Sequence, residues 1–574
     1  MDSSADHRLA PAQPRHCRIS RGFRRAAGRA LPAALLVGSL AVPAGNDAAA
    51  SPQDQAPRTD APPGGGGIVV DRERGEVRVP CRFVNPSRLL EVFACHERGP
   101  THETVLEFDA TGPGLYKALV DIGLRNASYW NGTSPDDFLK NQGDRLLLLV
   151  RWESDGVVHE HAAETMLHEG ETGFPAFVRG FSFGARSPQK VEEIPAAVEV
   201  TLGGTRRQSP SFSLLAHPTG AERLLRWMLP PVLNSDVVKE HLELVEKRVP
   251  ATLILRRVQS EGDIVRAAKA AAESTGAAQP ALFDALLAIA VEIDGLKREY
   301  EQLLASLRRL LEGAGAVETL SEAEKEASAR AGKALLARGR WLCARIEERY
   351  LTLYSLQEAE KVRWIEGRSE IPEDVRADAL FLAGAFQFEP RIAAKEVEIA
   401  ALDLGDVDRT PAERNLLESA LRKEAEAIEI ERAIRIAAAN RKYYEARLKE
   451  VDPADTYTKR LFEEDVMRSK IETRSIQARA RVVATEITEL RGTIDGSWES
   501  AKPRTLAERS AAQEELRLAG IEQELFKVLE EIRWNEGDAE SDDSERSEKA
   551  KKELIELQKK KKDLEESLKG AASP

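Results

Sequence analysis

The chain has 574 residues, of which 31% are charged and 5% aromatic, with a formal charge of −13. This length exceeds one ordinary core and predicts two or three domains. The composition predicts a helix-rich, well-solvated protein. The acidic balance argues against a nucleic-acid ligand, which selects basic faces, and no apolar run reaches transmembrane length.

In chain order, Arg18, Arg21, Arg24, Arg25 and Arg29 form a basic region and Leu31 to Val42 an apolar one. Ala48-Ala49-Ala50 then offers a small-residue cleavage site before Ser51. This is the layout of a secretory signal peptide over 1–50, and the apolar run is too short to anchor it in a bilayer. Cleavage between Ala50 and Ser51 removes seven Lys/Arg and three Asp/Glu and leaves the mature chain at −17. A periplasmic or envelope location follows, with no integral span. Residues 51–67 (SPQDQAPRTDAPPGGGG) have nothing to bury and read as a flexible Pro/Gly linker.

Val77, Val79, Cys81 and Phe83 alternate with polar or small residues, the period-2 pattern of a strand with one buried face. Asn85-Pro86-Ser87 breaks the run, Leu89 to His96 reads as a second strand, and Thr104 to Phe108 as a third. Leu115 to Leu124 follows at helical spacing. In the order Val79-Pro80, Phe83-Val84-Asn85, Leu90-Glu91-Val92-Phe93, His102-Glu103-Thr104-Val105-Leu106 and Ile122-Gly123-Leu124, the chain resembles the YdjY domain. Arg151-Trp152-Glu153, Phe181-Ser182-Phe183-Gly184 and Ser213 to Pro218 extend that resemblance over 68–218, about a quarter of the chain. The resemblance implies an exported protein with a small β-rich module, and it brings no reaction with it.

Beyond Pro218 the pattern becomes helical. Leu282, Leu286, Ile289, Ile293, Leu296, Tyr300, Leu303, Leu307 and Leu310 step by four and three without a miss, a coiled-coil signal. Weaker registers run from Phe462 to Leu490, from Leu518 to Ile532 and from Leu554 to Leu568, with Ser469, Thr473 and Lys561 at core positions. Ser321 to Glu324 and Thr410 to Glu413 read as capping boxes. Asp452-Pro453 breaks one helix, and the acidic 536–547 segment reads as the loop of a helical hairpin. The predicted fold is α+β. A β-rich domain at 68–218 precedes a long all-α antiparallel helical and coiled-coil region at 221–574.

Candidate sites are few. Gly180-Phe181-Ser182-Phe183-Gly184 has the spacing of a nucleophile elbow, but Pro188 argues against the helix an elbow needs. His159 and His161, two apart on a strand, share a face and suit a divalent metal, with His168, His96 or His102 completing the set. Solvent-facing His and Glu on an edge strand fit the same pattern without a metal. His102-Glu103 has acid–base chemistry, and a structural hydrogen bond explains the pair as well. Lys559 to Lys562 sits among Glu556, Asp563, Glu565 and Glu566 and reads as a solvated charge run. Cys81 and Cys95 form a candidate disulfide in an oxidising compartment if their strands pair directly. The favoured function is that of an exported non-enzymatic protein. It presents the module on a helical scaffold and contacts the envelope, a protein partner or a second copy through a helical stripe, with no cofactor. The alternative is a hydrolase or metal-dependent enzyme in 68–218, with the helices as an oligomerisation arm.

Overall fold

A computed structural model describes residues 67–84, 90, 92–97, 99, 101, 104–126, 143–169, 172–183, 199–201, 213–216, 231–233, 243–247, 249–274, 280–314, 321–405, 409–539 and 544–571. The predicted signal segment, its Ala50–Ser51 cleavage point and the linker up to Gly66 lie outside these residues.

The described strands are β1 Val69–Asp71, β2 Glu76–Phe83, β3 Val92–His96, β4 Leu106–Phe108, β5 Arg145–Ser154, β6 Val157–Ala162, β7 Leu167–Glu169, β8 Phe181–Phe183, β9 Glu199–Thr201, β10 Ser213–Ala216, β11 Pro231–Leu233 and β12 Pro250–Arg257. Ten of them form one sheet in the order β1-β2-β12-β5-β8-β10-β9-β3-β4, with β6 on the far half of β5. β4 also pairs with β2, so the hydrogen-bonded path returns to its start and the sheet curls around one core. β7 and β11 form a separate two-stranded sheet. The predicted strand around 77–83 is β2, and its Val77, Val79, Cys81 and Phe83 all face the core. The expected meander is rearranged, because β3 pairs in parallel with β4, and β4 lies between β3 and β2.

The sheet does not stop near residue 218. β12 lies between β2 and β5 through seven registered pairs on each side. Its alternation of Ala251, Leu253 and Leu255 with Thr252 and Ile254 buries both faces, as a central strand requires. β5 does the same with the apolar run Leu146 to Val150. Asp155-Gly156 closes the β5–β6 hairpin with both residues at positive φ, 52° and 77°. That is the backbone of a two-residue hairpin turn matched to strand twist.

Inside the curl, Leu146, Leu148, Val150 and Trp152 meet Leu253, Leu255, Phe181 and Phe183. Helix α1, Gly112–Asp121, adds Leu115, Ala118 and Leu119 to that core. Thr111 caps its N-terminus by accepting from the Gly114 amide. The outer face carries Leu147, Leu149 and Ile254, and helices cover it.

Those helices are α2 Glu261–Ser274, α3 Pro280–Ala314 and α4 Glu322–Glu366, followed by α5 Glu373–Phe386 and α6 Glu389–Ala401. The α3 stripe is buried as its spacing predicts, with Leu286 and Ile293 at 1% and 0% exposure. Its cover comes from α4 through Leu342, Ile346 and Leu353, and from the outer face of the sheet. The Ser321 capping box at the start of α4 is present in both directions, at 2.8 and 3.4 Å.

Four further helices complete the described chain: α7 Pro411–Glu450, α8 Thr456–Asp495, α9 Trp498–Ala539 and α10 Ser544–Ala571. Each packs chiefly on its neighbours in sequence, α8 between α7 and α9, and α10 on α9. Thr410 and Glu413 form the second predicted capping box, and the break at Asp452-Pro453 separates α7 from α8. The polar residues expected at core positions of α8 have partners. Ser469 Oγ donates to the Ala437 carbonyl of α7 at 3.0 Å, and Thr473 Oγ1 to the Ser469 carbonyl at 2.7 Å. Interhelical ion pairs run along the row: Lys423–Glu486 at 2.7 Å, Arg474–Glu522 at 2.6 Å and Lys560–Glu524 at 2.9 Å. Among the described residues no helix is long and apolar enough to cross a membrane.

Candidate functional site: a buried ionic seam between sheet and helices

The densest group of buried ionisable side chains lies where the outer face of the sheet meets α2, α3 and α4. Arg145 opens β5, and Arg179 stands just before β8. Glu164 comes from the short 3-10 turn Ala163–Met166. Glu261 is the first residue of α2, and Lys297 is on α3. Tyr350, Tyr354, Gln357, Glu358 and Lys361 line one side of α4, because their spacing of four, three, one and three follows the helical repeat.

Glu261 is the hub. Its carboxylate accepts from Lys297 Nζ at 2.7 Å and from the Tyr350 hydroxyl at 2.5 Å, and Arg145 Nε stands 3.8 Å away. Burial opposes its ionisation, but the charges of Lys297 and Arg145 outweigh burial and hold the carboxyl below its ordinary range. Its position in the first turn of α2 adds the favourable helix dipole. The Glu261 amide donates to Asp294 Oδ1 at 2.8 Å, which ties α2 to α3.

A second knot surrounds Arg179. Its Nε donates to Gln357 Oε1 and one terminal nitrogen to Glu358 Oε1, both at 2.8 Å, while its guanidinium sits 4.9 Å over the Tyr354 ring. The Arg179 and Gly180 amides both donate to Glu164 Oε1, at 3.1 and 2.8 Å. Gly180 has φ +67°, and an added Cβ would meet the Leu146 carbonyl and Ile264 at 3.0 Å, so glycine alone lets the chain pass here. Arg145 links the knots, donating to Ser182 Oγ at 3.1 Å and to the Arg179 carbonyl.

In this setting the chemistry is that of a clamp. Burial raises the phenols of Tyr350 and Tyr354, the neighbouring Glu261 carboxylate adding to the shift, so both stay protonated at neutral pH and the Tyr350 hydroxyl donates to Glu261. The guanidiniums of Arg145 and Arg179 are only 3% exposed, and their carboxylate partners Glu261 and Glu358 are 6% and 5% exposed. Opposite charges face one another across the sheet–helix boundary.

The seam was absent from the sequence reading, whose own candidates are arranged differently. His159 and His161 do share a face of β6, but both rings stack on Trp152, with centroids 5.1 and 5.2 Å away. His168 belongs to β7 in the separate small sheet, and His96 on β3 lies 3.6 Å from Asp109. His102 and Glu103 lie outside the described residues. Among the described residues no group of three or more His, Cys, Asp or Glu is placed to hold a metal ion. Ser182 sits within β8, buried and bonded to Arg145, so it is not presented at a strained turn. Gly184 lies outside the described residues.

The Cys81–Cys95 disulfide is not formed. Phe108 is registered against Cys81 on one side of β4, and Glu107 against Cys95 on the other. The cysteines therefore stand two strand spacings apart, about 9–10 Å, and point to opposite faces. A bridge reaches only about 7 Å between Cα atoms. Burial pushes the Cys81 thiol up to about 12. Iodoacetamide at pH 8 is expected to spare Cys81 in the folded chain. Unfolding without reductant should then expose Cys81, Cys95 and Cys343 to alkylation, and failure of Cys81 and Cys95 to react would contradict this strand order.

Comparison of the chain with protein-family models, curated proteins and solved structures finds no match.

Proposed function

We propose that this is an exported, non-enzymatic interaction protein. In this reading a YdjY-like sheet module is fixed to the root of a helical arm, and the arm contacts a protein of the cell envelope or another copy of the chain. The carrying observation is the distribution of side chains. The buried ionisable groups Arg145, Arg179, Glu261 and Glu358 are closed off in the sheet–helix seam, whereas α9 and α10 leave Trp534 79% and Ile555 70% exposed. Aromatic side chains such as Trp534 are enriched in protein contacts. The basic, apolar and small-residue succession of residues 18–50 supports export.

The test replaces Trp534 with a photo-reactive phenylalanine in the full chain and irradiates the cells that produce it. A covalent adduct with an envelope protein or with a second copy is expected. Elemental analysis of the purified chain is expected to find no stoichiometric transition metal. Absence of any adduct, stoichiometric zinc or iron, or ester hydrolysis abolished by Ser182→Ala would overturn the proposal.

A further inference from the structure

We draw no further inference here: the strongest candidate, the surface of the α8–α9 pair where Trp534, Tyr457 and Leu461 stand exposed, is an apolar face for which nothing in the structure shows what covers it.

Discussion

Replacing Ile293 and Leu296 together with aspartate is expected to abolish folding of α3 and of the helices packed on it. Ile293 is fully buried and Leu296 partly so, and both belong to the core shared by the sheet and α2–α4. Burying an isoleucine of this kind contributes about 1.5–3 kcal/mol. An aspartate in its place adds the cost of an unpaired buried carboxylate, so the combined loss exceeds about 4 kcal/mol. Circular dichroism at 222 nm should fall, and the first thermal transition should disappear. A double variant with full helicity and an unshifted melting temperature would show that this stripe is not core.

Glu261→Gln should produce the second-largest effect. The amide keeps the size of the side chain but removes the charge that Lys297 and Arg145 share. Breaking one partner of a buried ionic group costs about 3–5 kcal/mol, because the remaining charges stay buried without their counterion. A fall in melting temperature on the order of 10 °C follows. The same carboxylate sets an acid limit. Its folded-state pKa lies below its ordinary value, so its contribution is complete above the unfolded pKa of about 4.3. That contribution is lost as pH falls through the lower folded value. Wild-type stability should therefore decline below about pH 4. The Glu261→Gln variant, having no carboxylate there to protonate, should lose less over the same range.

Replacing a whole buried ionic cluster by well-packed apolar residues is often neutral or stabilising. The seam therefore contributes less through net stability than through geometry. Arg179 bonds Gln357 and Glu358 of α4 while Arg145 holds Ser182 and the Arg179 carbonyl, and these contacts set how α4 lies on the sheet.

Much of the α+β fold was legible in local pattern. The alternation from Val77 to Phe83, the unbroken stripe from Leu282 to Leu310 and the two capping boxes each describe neighbours in sequence, and each reappears in the structure. Non-local relations were not legible. Ala251, Leu253 and Leu255 alternate as clearly as β2 does, but they lie in a segment expected to be helical, and nothing nearby shows that β2 and β5 flank them. The parallel pairing of β3 with β4 was hidden for the same reason, since hairpin reasoning assumes that successive strands pair. The seam was least accessible. Arg179 and Glu358 are separated by 179 positions, and each reads alone as an ordinary solvated charge. The only local hint is that Arg145 opens the apolar run Leu146 to Val150, where a charged residue enters a buried strand.

The sheet and α2–α4, joined through the outer face of the sheet and the Arg145–Glu261 seam, are expected to open as one cooperative unit. Native-state hydrogen exchange read by mass spectrometry measures this opening segment by segment. Peptides spanning 145–152 and 250–257 of the sheet, and 286–300 and 342–354 of the helices, should exchange by the same global opening with equal protection free energies. All four should lose protection together in the Glu261→Gln variant. Helical peptides that exchange several kcal/mol more easily than those of β5 and β12, or that respond to the substitution while the strands do not, would show that sheet and helices open separately.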